Sequence, residues 1–464
     1  MEKTSSESTN HSSPLYAELK TQWRITIPLI AMNFTWFAKL AITTAFLGRL
    51  GPLPLAGGTL GFTFANVTGF SVLNGLCAAM EPICGQAFGA KNYKLLHKTL
   101  VMATSLLLLA SIPIAFLWLN VEKILVSFGQ QRDISIVAKN YLIYFMPDLV
   151  VTSFLCPLKA YLSTQNVTLP IMFASTMAVA LHIPANLFLS RAKGLEGIAM
   201  AVWITDFAVV VVLGLYVLVV EKRKGGCWKE GGWWAQDRSD WINLLKLSGP
   251  CCVTTCLEWW CYEILVLLTG RLRNPKRAVG TLAIVLNFDY LLYSVMLSLA
   301  TCASVRVSNE LGAARPELAA GSARFSLGCG GLMGLAGGAV MVGSRGVWGP
   351  LYSRDAGIVG SIVRGTARPW VGMYANMIGF YLLALPLGVV LGFKLGMGIE
   401  GLLLGFLGGV VVCLVIVLVF VLRINWSDES HKAKLFTNSS SKEEEEEVVS
   451  EKDHNKFNPL MIVL

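Results

Sequence analysis

The sequence predicts an all-α membrane protein built from two similar helical bundles. Of its 464 residues, 54% are hydrophobic and only 14% are charged, and the mean hydropathy is +0.60. An ordinary soluble fold does not carry so much apolar surface. Apolar runs of about 20 residues, the length that crosses a bilayer, recur between residues 25 and 422. Backbone polar groups in lipid must be bonded within their own segment, so these runs are expected to be helices.

About eleven transmembrane helices are expected from the positions of these runs. They are placed at 25–47, 58–80, 98–119, 137–160, 167–190, 195–220, 242–270, 279–303, 319–341, 370–393 and 397–422. The first residues are polar and lack the short apolar core of a secretory signal, so the N-terminus is predicted to be cytosolic. The loops that this orientation places in the cytosol are rich in lysine and arginine, as the positive-inside rule predicts. The loop with Arg271 and Arg273, expected outside, is an exception.

The two halves of the chain form a parallel repeat. Gly48-Arg49-Leu50 recurs 222 residues later as Gly270-Arg271-Leu272, whereas Pro184 meets Pro386 only 202 residues later. The second half is therefore predicted to lack about one helix, the equivalent of the fourth helix of the first half, between residues 359 and 364. Repeats of this kind place a substrate site between two bundles.

The predicted organisation has five parts. They are a polar cytosolic N-terminus (1–24), an N-terminal six-helix lobe (25–220), a cytosolic linker (221–241), a C-terminal lobe of five helices (242–422) and a disordered acidic tail (423–464). The tail contains a serine run and five consecutive glutamates, a composition that cannot bury enough apolar surface to order itself.

Three segments carry a resemblance to a known transporter family. They read EPICGQAFGAK at 81–91, CPLKAYLSTQ at 156–165 and RVSNELGA at 306–313. These segments resemble signatures of the multidrug and toxic compound extrusion family, and the plant branch, the DETOXIFICATION proteins, is the most similar. The matching positions are Glu81, Gly85, Gln86, Gly89, Pro157, Gln165, Arg306, Asn309, Glu310 and Gly312.

The resemblance implies a secondary transporter that uses a proton gradient to expel organic compounds. The implied partners are a small organic substrate, protons and the lipid bilayer. A monomer in the plasma, vacuolar or endosomal membrane is expected, without a cofactor. The basic residues lie largely in loops, which indicates topology rather than binding to nucleic acid. The sequence offers no catalytic nucleophile, paired acids or metal ligand set, so an enzyme is not predicted.

The seventh predicted span contains the candidate coupling residues. In the family that the sequence resembles, a carboxylate on this helix faces the cavity of the second lobe, and CLEWWCYE at 256–263 matches that motif. Glu258 and Glu263 are therefore the first candidates. An ionisable group inside a span costs roughly 2.5 to 3.5 kcal/mol, which favours a function over the alternative, a protonated carboxyl that only holds helices together. Five residues at 100° each place the two side chains about 140° apart.

Further candidates lie near these acids. Asn287 occupies a position where some animal relatives have an acid, and Asp289 lies deep in the same span. Three aromatic residues are expected either to stack on a substrate or to pack between helices: Trp259, Trp260 and Tyr262. Asp148, beside Pro147 in the fourth span, is interpreted as a helix-break or interfacial residue.

Two functions remain open from the sequence. The first is a proton-coupled antiporter that exports organic solutes, of a cationic or xenobiotic kind, by alternating access. The second is a non-transporting membrane interaction protein or a splice form. It follows from the predicted missing helix, which in plant relatives supplies a second cavity carboxylate.

Overall fold

The computed structural model describes residues 14–221, 233, 236–269, 271–272, 275–343 and 369–438. Inside these ranges some helical side chains, such as those of 283–289, are also outside the description. The described part of the chain is helical, with short connections and no strand, which confirms the predicted fold class.

We number the helices in chain order. They are α1 (Pro14–Arg49), α2 (Pro52–Ala65), α3 (Ser71–Cys77), α4 (Met80–Gly89), α5 (Tyr93–Leu119), α6 (Val121–Ser127), α7 (Arg132–Phe145), α8 (Pro147–Thr164), α9 (Leu169–Lys193), α10 (Leu195–Tyr216), α11 (Arg238–Thr269), α12 (Pro275–Gly312), α13 (Pro316–Gly343), α14 (Pro369–Asn376), α15 (Leu385–Val389), α16 (Ile399–Leu422) and α17 (426–438). Four π-helical turns join or extend them: Asn66–Phe70, Val217–Glu221, Met377–Ala384 and Val390–Lys394.

The described helices account for the predicted spans. Eight continuous helical stretches are long and apolar enough to cross a membrane, and the bent pair of α7 and α8 makes a ninth. Two more long helices, α12 and α13, cover the predicted spans at 279–303 and 319–341. The place where the second half is predicted to lack a helix, between 359 and 364, lies outside the described residues.

Two helices change direction or register in mid-span. The fourth span bends by 51° between α7 and α8. Pro147 stands at this bend, where a proline nitrogen has no hydrogen to donate to the helical ladder. The second span passes from α2 to α3 through the π-helical turn Asn66–Phe70. Such turns locally disturb the helical hydrogen-bond pattern and are frequent at functional sites.

Each half has its own apolar core. The largest cluster belongs to the first half and includes the fully buried Trp118 and Phe145. Buried residues of the second half form two smaller clusters, one with Val417 of α16 and one with Phe380. Glycine permits the close packing of α15 on α16, because a Cβ atom added to Gly405 would overlap the backbone of the facing helix.

Two predicted segments differ from the structure. α1 already begins at Pro14, inside the segment expected to be a polar terminus, because its polar residues bond to α12 and α13. Residues 426–438 of the predicted disordered tail form α17, so disorder was a wrong prediction there. Ala433 is buried in a second-half core and Phe436 packs on the first-half core, and these contacts order the segment. Residues 439–464 lie outside the described residues.

Candidate functional site

The two halves cross closely at the end predicted to face the cytosol. There α4 packs against α12, and the family-signature glycines stand at the contact. A Cβ atom on Gly85 would overlap the side chain of Ser308, and one on Gly89 would overlap the carbonyl oxygen of Asn309. Gly312 approaches the backbone of α4 in the same way. The crossing therefore needs glycine, since no larger residue fits between the two backbones.

An ion-pair network surrounds this crossing. Arg306 contacts Glu18 of α1 at 2.8 Å and Glu310 of its own helix at 2.9 Å. The second carboxylate oxygen of Glu310 accepts a contact from Arg315 at 3.0 Å. Glu18 also accepts a hydrogen bond from a serine hydroxyl of α13 at 2.8 Å. The network ties the first turns of α1 to the ends of α12 and α13. We call it, together with the α4–α12 crossing, the inner seal.

The third signature segment joins the inner seal. The side-chain amide of Asn309 donates a hydrogen bond to the carbonyl oxygen of Thr164, at the end of α8, at 3.1 Å. Both residues are buried. All three segments on which the family resemblance depends therefore meet at one end of the interface between the halves.

Two further links close the same end. Lys98 of α5 and Asp240 of α11 form an ion pair at 2.7 Å, with side chains only 2% and 5% exposed. The amide of Asn92 donates to the carbonyl oxygen of Thr437 in α17 at 3.0 Å. The C-terminal helix thus contacts the first half through its end while Ala433 packs in the second half.

One face of α11 contacts the second span. The sulfur atoms of Cys252 and Cys256 lie against α3, at 3.8 Å and 3.7 Å from oxygen acceptors. One turn later, the indole N–H of Trp260 donates to the carbonyl oxygen of Val67 in the π-helical turn at 2.9 Å. The ring nitrogen of Trp260, a candidate for stacking on substrate, therefore links the two halves.

The same face of α11 becomes exposed toward the predicted outer side. Exposure rises from 6% at Cys256 to 40% at Trp260 and 70% at Leu267. Trp260 lies four residues, about one helical turn, after Cys256, and Leu267 lies eleven residues, about three turns, after it. The three side chains therefore share one face of α11. Beyond the π-helical turn, α2 packs on α1 and α7 of its own half. The two halves therefore separate at mid-depth and leave a cleft between them on the outer side.

The two acids of α11 lie on different faces. Glu263 comes seven residues after Cys256, about two turns, so it lies on the face toward the first half, where the cleft begins. Glu258 lies on the other side of α11, one turn after Thr254, whose carbonyl oxygen accepts a hydrogen bond from Asn376 of α14. Both carboxylates are half-buried. Glu258 therefore belongs to the interior of the second half and Glu263 to the cleft.

Polar groups of α14 and α16 accompany Glu258. The amide nitrogen of Asn376 donates to the Thr254 carbonyl oxygen at 3.2 Å, and the amide oxygen accepts from the Cys413 thiol at 3.1 Å. The hydroxyl of Tyr381 donates to a carbonyl oxygen of α11 at 3.1 Å. Sequence reasoning missed Asn376 and Tyr381. The signal was available, because both are polar side chains within a strongly apolar span.

The other candidates are placed as follows. Trp259 is half-buried, and the ring of Tyr262 packs against Phe406 of α16 with centroids 5.1 Å apart. Tyr262 therefore serves packing inside the second half. Asn287 and Asp289 lie on α12, but their side chains are outside the described residues.

A polar cluster inside the first half was not predicted. The ammonium of Lys39 on α1 contacts a carboxylate oxygen of Asp206 on α10 at 2.6 Å. His182 of α9 bonds two threonine hydroxyls, at 3.0 and 3.2 Å. Asp148 faces the same cluster and is 3% exposed, so the interfacial interpretation of this residue was wrong. Its helix does bend beside it, as the alternative interpretation stated.

Comparisons of the sequence identify the family. The MatE family model matches residues 28–188 and 250–360. The chain is 59% identical to Protein DETOXIFICATION 56 of Arabidopsis thaliana over 444 residues, which cover 90% of each chain. It is 39% identical to Protein DETOXIFICATION 49 of the same organism over 464 residues, covering 92% of this chain and 90% of that one.

Solved structures of other proteins share the fold of this chain. The crystal structure of the eukaryotic MATE transporter AtDTX14 superposes with a TM-score of 0.84 at 29% identity, covering 92% of this chain and all of that one. A MATE crystal structure in the bent conformation gives a TM-score of 0.77 at 13% identity, which shows the shared fold alone. The chain therefore belongs to the multidrug and toxic compound extrusion family, and it is a multi-pass membrane transporter rather than an enzyme.

Proposed function

We propose that the protein is a proton-coupled antiporter that exports organic solutes by alternating access. Family membership already implies a small organic substrate and ion coupling. The identity of the ion and the class of substrate are the proposal. The observation that supports it is the half-buried Glu258, which lies at mid-length of α11, one turn after the Thr254 carbonyl oxygen that accepts from Asn376 of α14.

The arrangement supports a simple cycle. A cleft open on the predicted outer side lets water and protons reach the face of α11 that carries Glu263, while the inner seal separates this cleft from the cytosol. Protonation of a carboxylate removes the charge that is expensive to enclose, so the protonated acids can be covered when the halves rock together. Opening on the inner side then exposes the acids to a less acidic solution, where they release protons and accept a new substrate.

Charge favours cationic substrates. The two acids of α11, Glu263 at the cleft and Glu258 in the interior of the second half, attract an organic cation whenever they are ionised. Binding of a proton and binding of a cation then exclude each other, which is the requirement for exchange. The half-buried Trp259 is the sequence neighbour of Glu258 and adds an aromatic side chain next to it.

Everted membrane vesicles with an acidic interior test the proposal. Vesicles that contain the full chain should accumulate a fluorescent organic cation, and dissipating the proton gradient should abolish the accumulation. Glu258→Gln should reduce it to the level of vesicles without the protein. The matched control is Glu317→Gln, which removes an exposed carboxylate at the start of α13 and should leave accumulation unchanged. Accumulation by Glu258→Gln at the unmodified rate would reject the role of this acid.

The non-transporting alternative stays a prediction, since residues 344–368, around the predicted gap, lie outside the described residues. It would be favoured if the unmodified chain were correctly inserted in the vesicles yet accumulated none of a panel of organic cations and anions. Sequencing the transcript between the codons for Val359 and Arg364 separates a splice form from a continuous coding sequence.

A further inference from the structure

The C-terminal helix α17 bridges the two halves at the end predicted to face the cytosol. Ala433 is 2% exposed and lies in a core of the second half. Phe436, three residues later, packs on the core of the first half. One short helix therefore has apolar contacts in both of the bodies that separate when the inner side opens. We call α17 the strap.

The chain itself ties the strap to the second half. Only residues 423–425 connect α16 to α17, so the start of the strap stays beside the end of α16 in every conformation. The side-chain oxygen of Asn425 accepts the backbone N–H of Ser427 in the first turn of the strap at 3.2 Å. Such a bond satisfies one of the amide groups that have no partner at a helix start.

An asparagine of the first half holds the other end of the strap. Asn92 precedes α5, and its Oδ1 atom accepts the backbone N–H of Leu95 at 3.0 Å. Its Nδ2 atom donates to the carbonyl oxygen of Thr437, in the last turn of the strap, at 3.0 Å. One amide group therefore caps the start of α5 and the end of α17, where the two helix dipoles meet with opposite sign.

The two attachments differ in strength. On the second half, the strap has a covalent connection and the fully packed Ala433. On the first half, it has the partly buried ring of Phe436 and a hydrogen bond at a helix end, which is where helices fray. When the halves separate on the inner side, the attachment to the first half is therefore the one that breaks.

We propose that α17 is a detachable strap that holds the inner side closed. Each time the inner seal opens, the strap leaves the first half and moves with the second half. Its contacts with Phe436 and Asn92 add to the free energy of opening, so they limit how often the inner side opens without substrate. Release of the strap rests on the alternating access proposed above, but not on the coupling ion, the substrate or Glu258.

Labelling of the inner seal tests the strap without any transport. Ser308→Cys is introduced into the full chain, and everted vesicles are treated with a membrane-impermeant maleimide. Adding Phe436→Ala removes a partly buried ring from the first-half core and should raise the labelling rate about tenfold. Leu435→Ala is the matched control, because this neighbouring side chain is 58% exposed, and it should leave the rate unchanged. Equal rates for the two variants would overturn the proposal.

Asn92→Asp provides a second variant should Phe436→Ala fail to insert. Aspartate caps a helix start as well as asparagine does, but its carboxylate cannot donate to the carbonyl oxygen of Thr437. Labelling of Ser308→Cys should rise about fivefold. Asn120→Asp is the control, since the amide of Asn120 donates within its own half, and it should have no effect. An unchanged rate for Asn92→Asp would equally contradict the strap.

A cleavable cross-link tests whether the strap must detach during transport. Lys91→Cys and Asn438→Cys place thiols at exposed positions beside the bond between Asn92 and Thr437. A bismaleimide with a central disulfide should join them and reduce accumulation of the fluorescent cation in everted vesicles to background. Reduction of the reagent's disulfide should restore accumulation.

A second cross-link controls for the reagent. Arg423→Cys and Ser427→Cys, both at exposed positions, join the strap to the end of α16 in its own half, so accumulation should persist. Full accumulation with Lys91→Cys joined to Asn438→Cys would overturn the proposal. If the unmodified chain does not accumulate the cation, the proposed function fails instead, and the labelling of Ser308→Cys decides the role of the strap.

Discussion

The inner and outer parts of the interface between the halves differ although the second and seventh spans contribute to both. In the inner part, α4 crosses α12 on glycines, and buried ion pairs such as Lys98–Asp240 join the halves. In the outer part, α2 packs on helices of its own half. Leu267 of α11 is 70% exposed there. The change occurs at the π-helical turn where Trp260 bonds Val67.

The difference indicates how the protein must move. A crossing with no space for a Cβ atom cannot loosen gradually, because closely packed surfaces are either in contact or apart. Opening toward the cytosol must therefore break the glycine crossing and its ion pairs together. The halves would then have to meet along the outer part of α11, which is now exposed.

The largest effect is expected from filling the glycine crossing. Gly89→Ala adds a Cβ atom that overlaps the carbonyl oxygen of Asn309, so the inner part cannot close and accumulation in everted vesicles should fall to background. Gly321→Ala is the matched control, since a Cβ there has no atom within 4 Å. It should retain full accumulation and gain up to about 1 kcal/mol of helix stability. Normal transport by Gly89→Ala would show that the crossing is not needed.

The next effect concerns the buried ion pair. Asp240→Asn leaves the ammonium of Lys98 enclosed without its carboxylate, and breaking a buried pair from one side costs about 3 to 5 kcal/mol. A lower unfolding temperature of the purified protein should report this. In the pair between Lys139 and Glu122 the two side chains are 35% and 26% exposed, so Lys139→Gln should change stability by less than about 1 kcal/mol. Equal shifts for both variants would contradict the burial argument.

The smallest effect is expected where the two parts meet. Trp260→Phe removes the hydrogen bond to Val67 and keeps most of the ring. One such bond contributes about 1 kcal/mol, so the equilibrium between inner-closed and inner-open forms should shift by about fivefold. The transport rate of the vesicles at limiting substrate should change by no more than this factor. A complete loss of transport would instead indicate that the ring contacts the substrate.

The sequence predicted the helices and the division into halves well, because apolar length and repeated motifs are local signals. It also identified Gly85, Gly89 and Gly312 as signature positions, but their role as a backbone crossing depends on which helices meet. The pair of Lys39 and Asp206 could not be found, since 167 residues separate them and only packing brings them together. Asp148 was misjudged because Pro147 beside it offered a simpler explanation. The order in α17 arises from contacts with both halves, which composition does not show.

Labelling with a membrane-impermeant maleimide tests the central claim, a cleft open outside and sealed inside, most directly. In outside-out vesicles, Leu267→Cys should react well above the unmodified chain. Ser308→Cys, placed under Gly85 in the inner seal, should remain unreactive from either side in the absence of substrate. Rapid labelling of Ser308→Cys from the cytosolic side, with Leu267→Cys protected, would contradict the account.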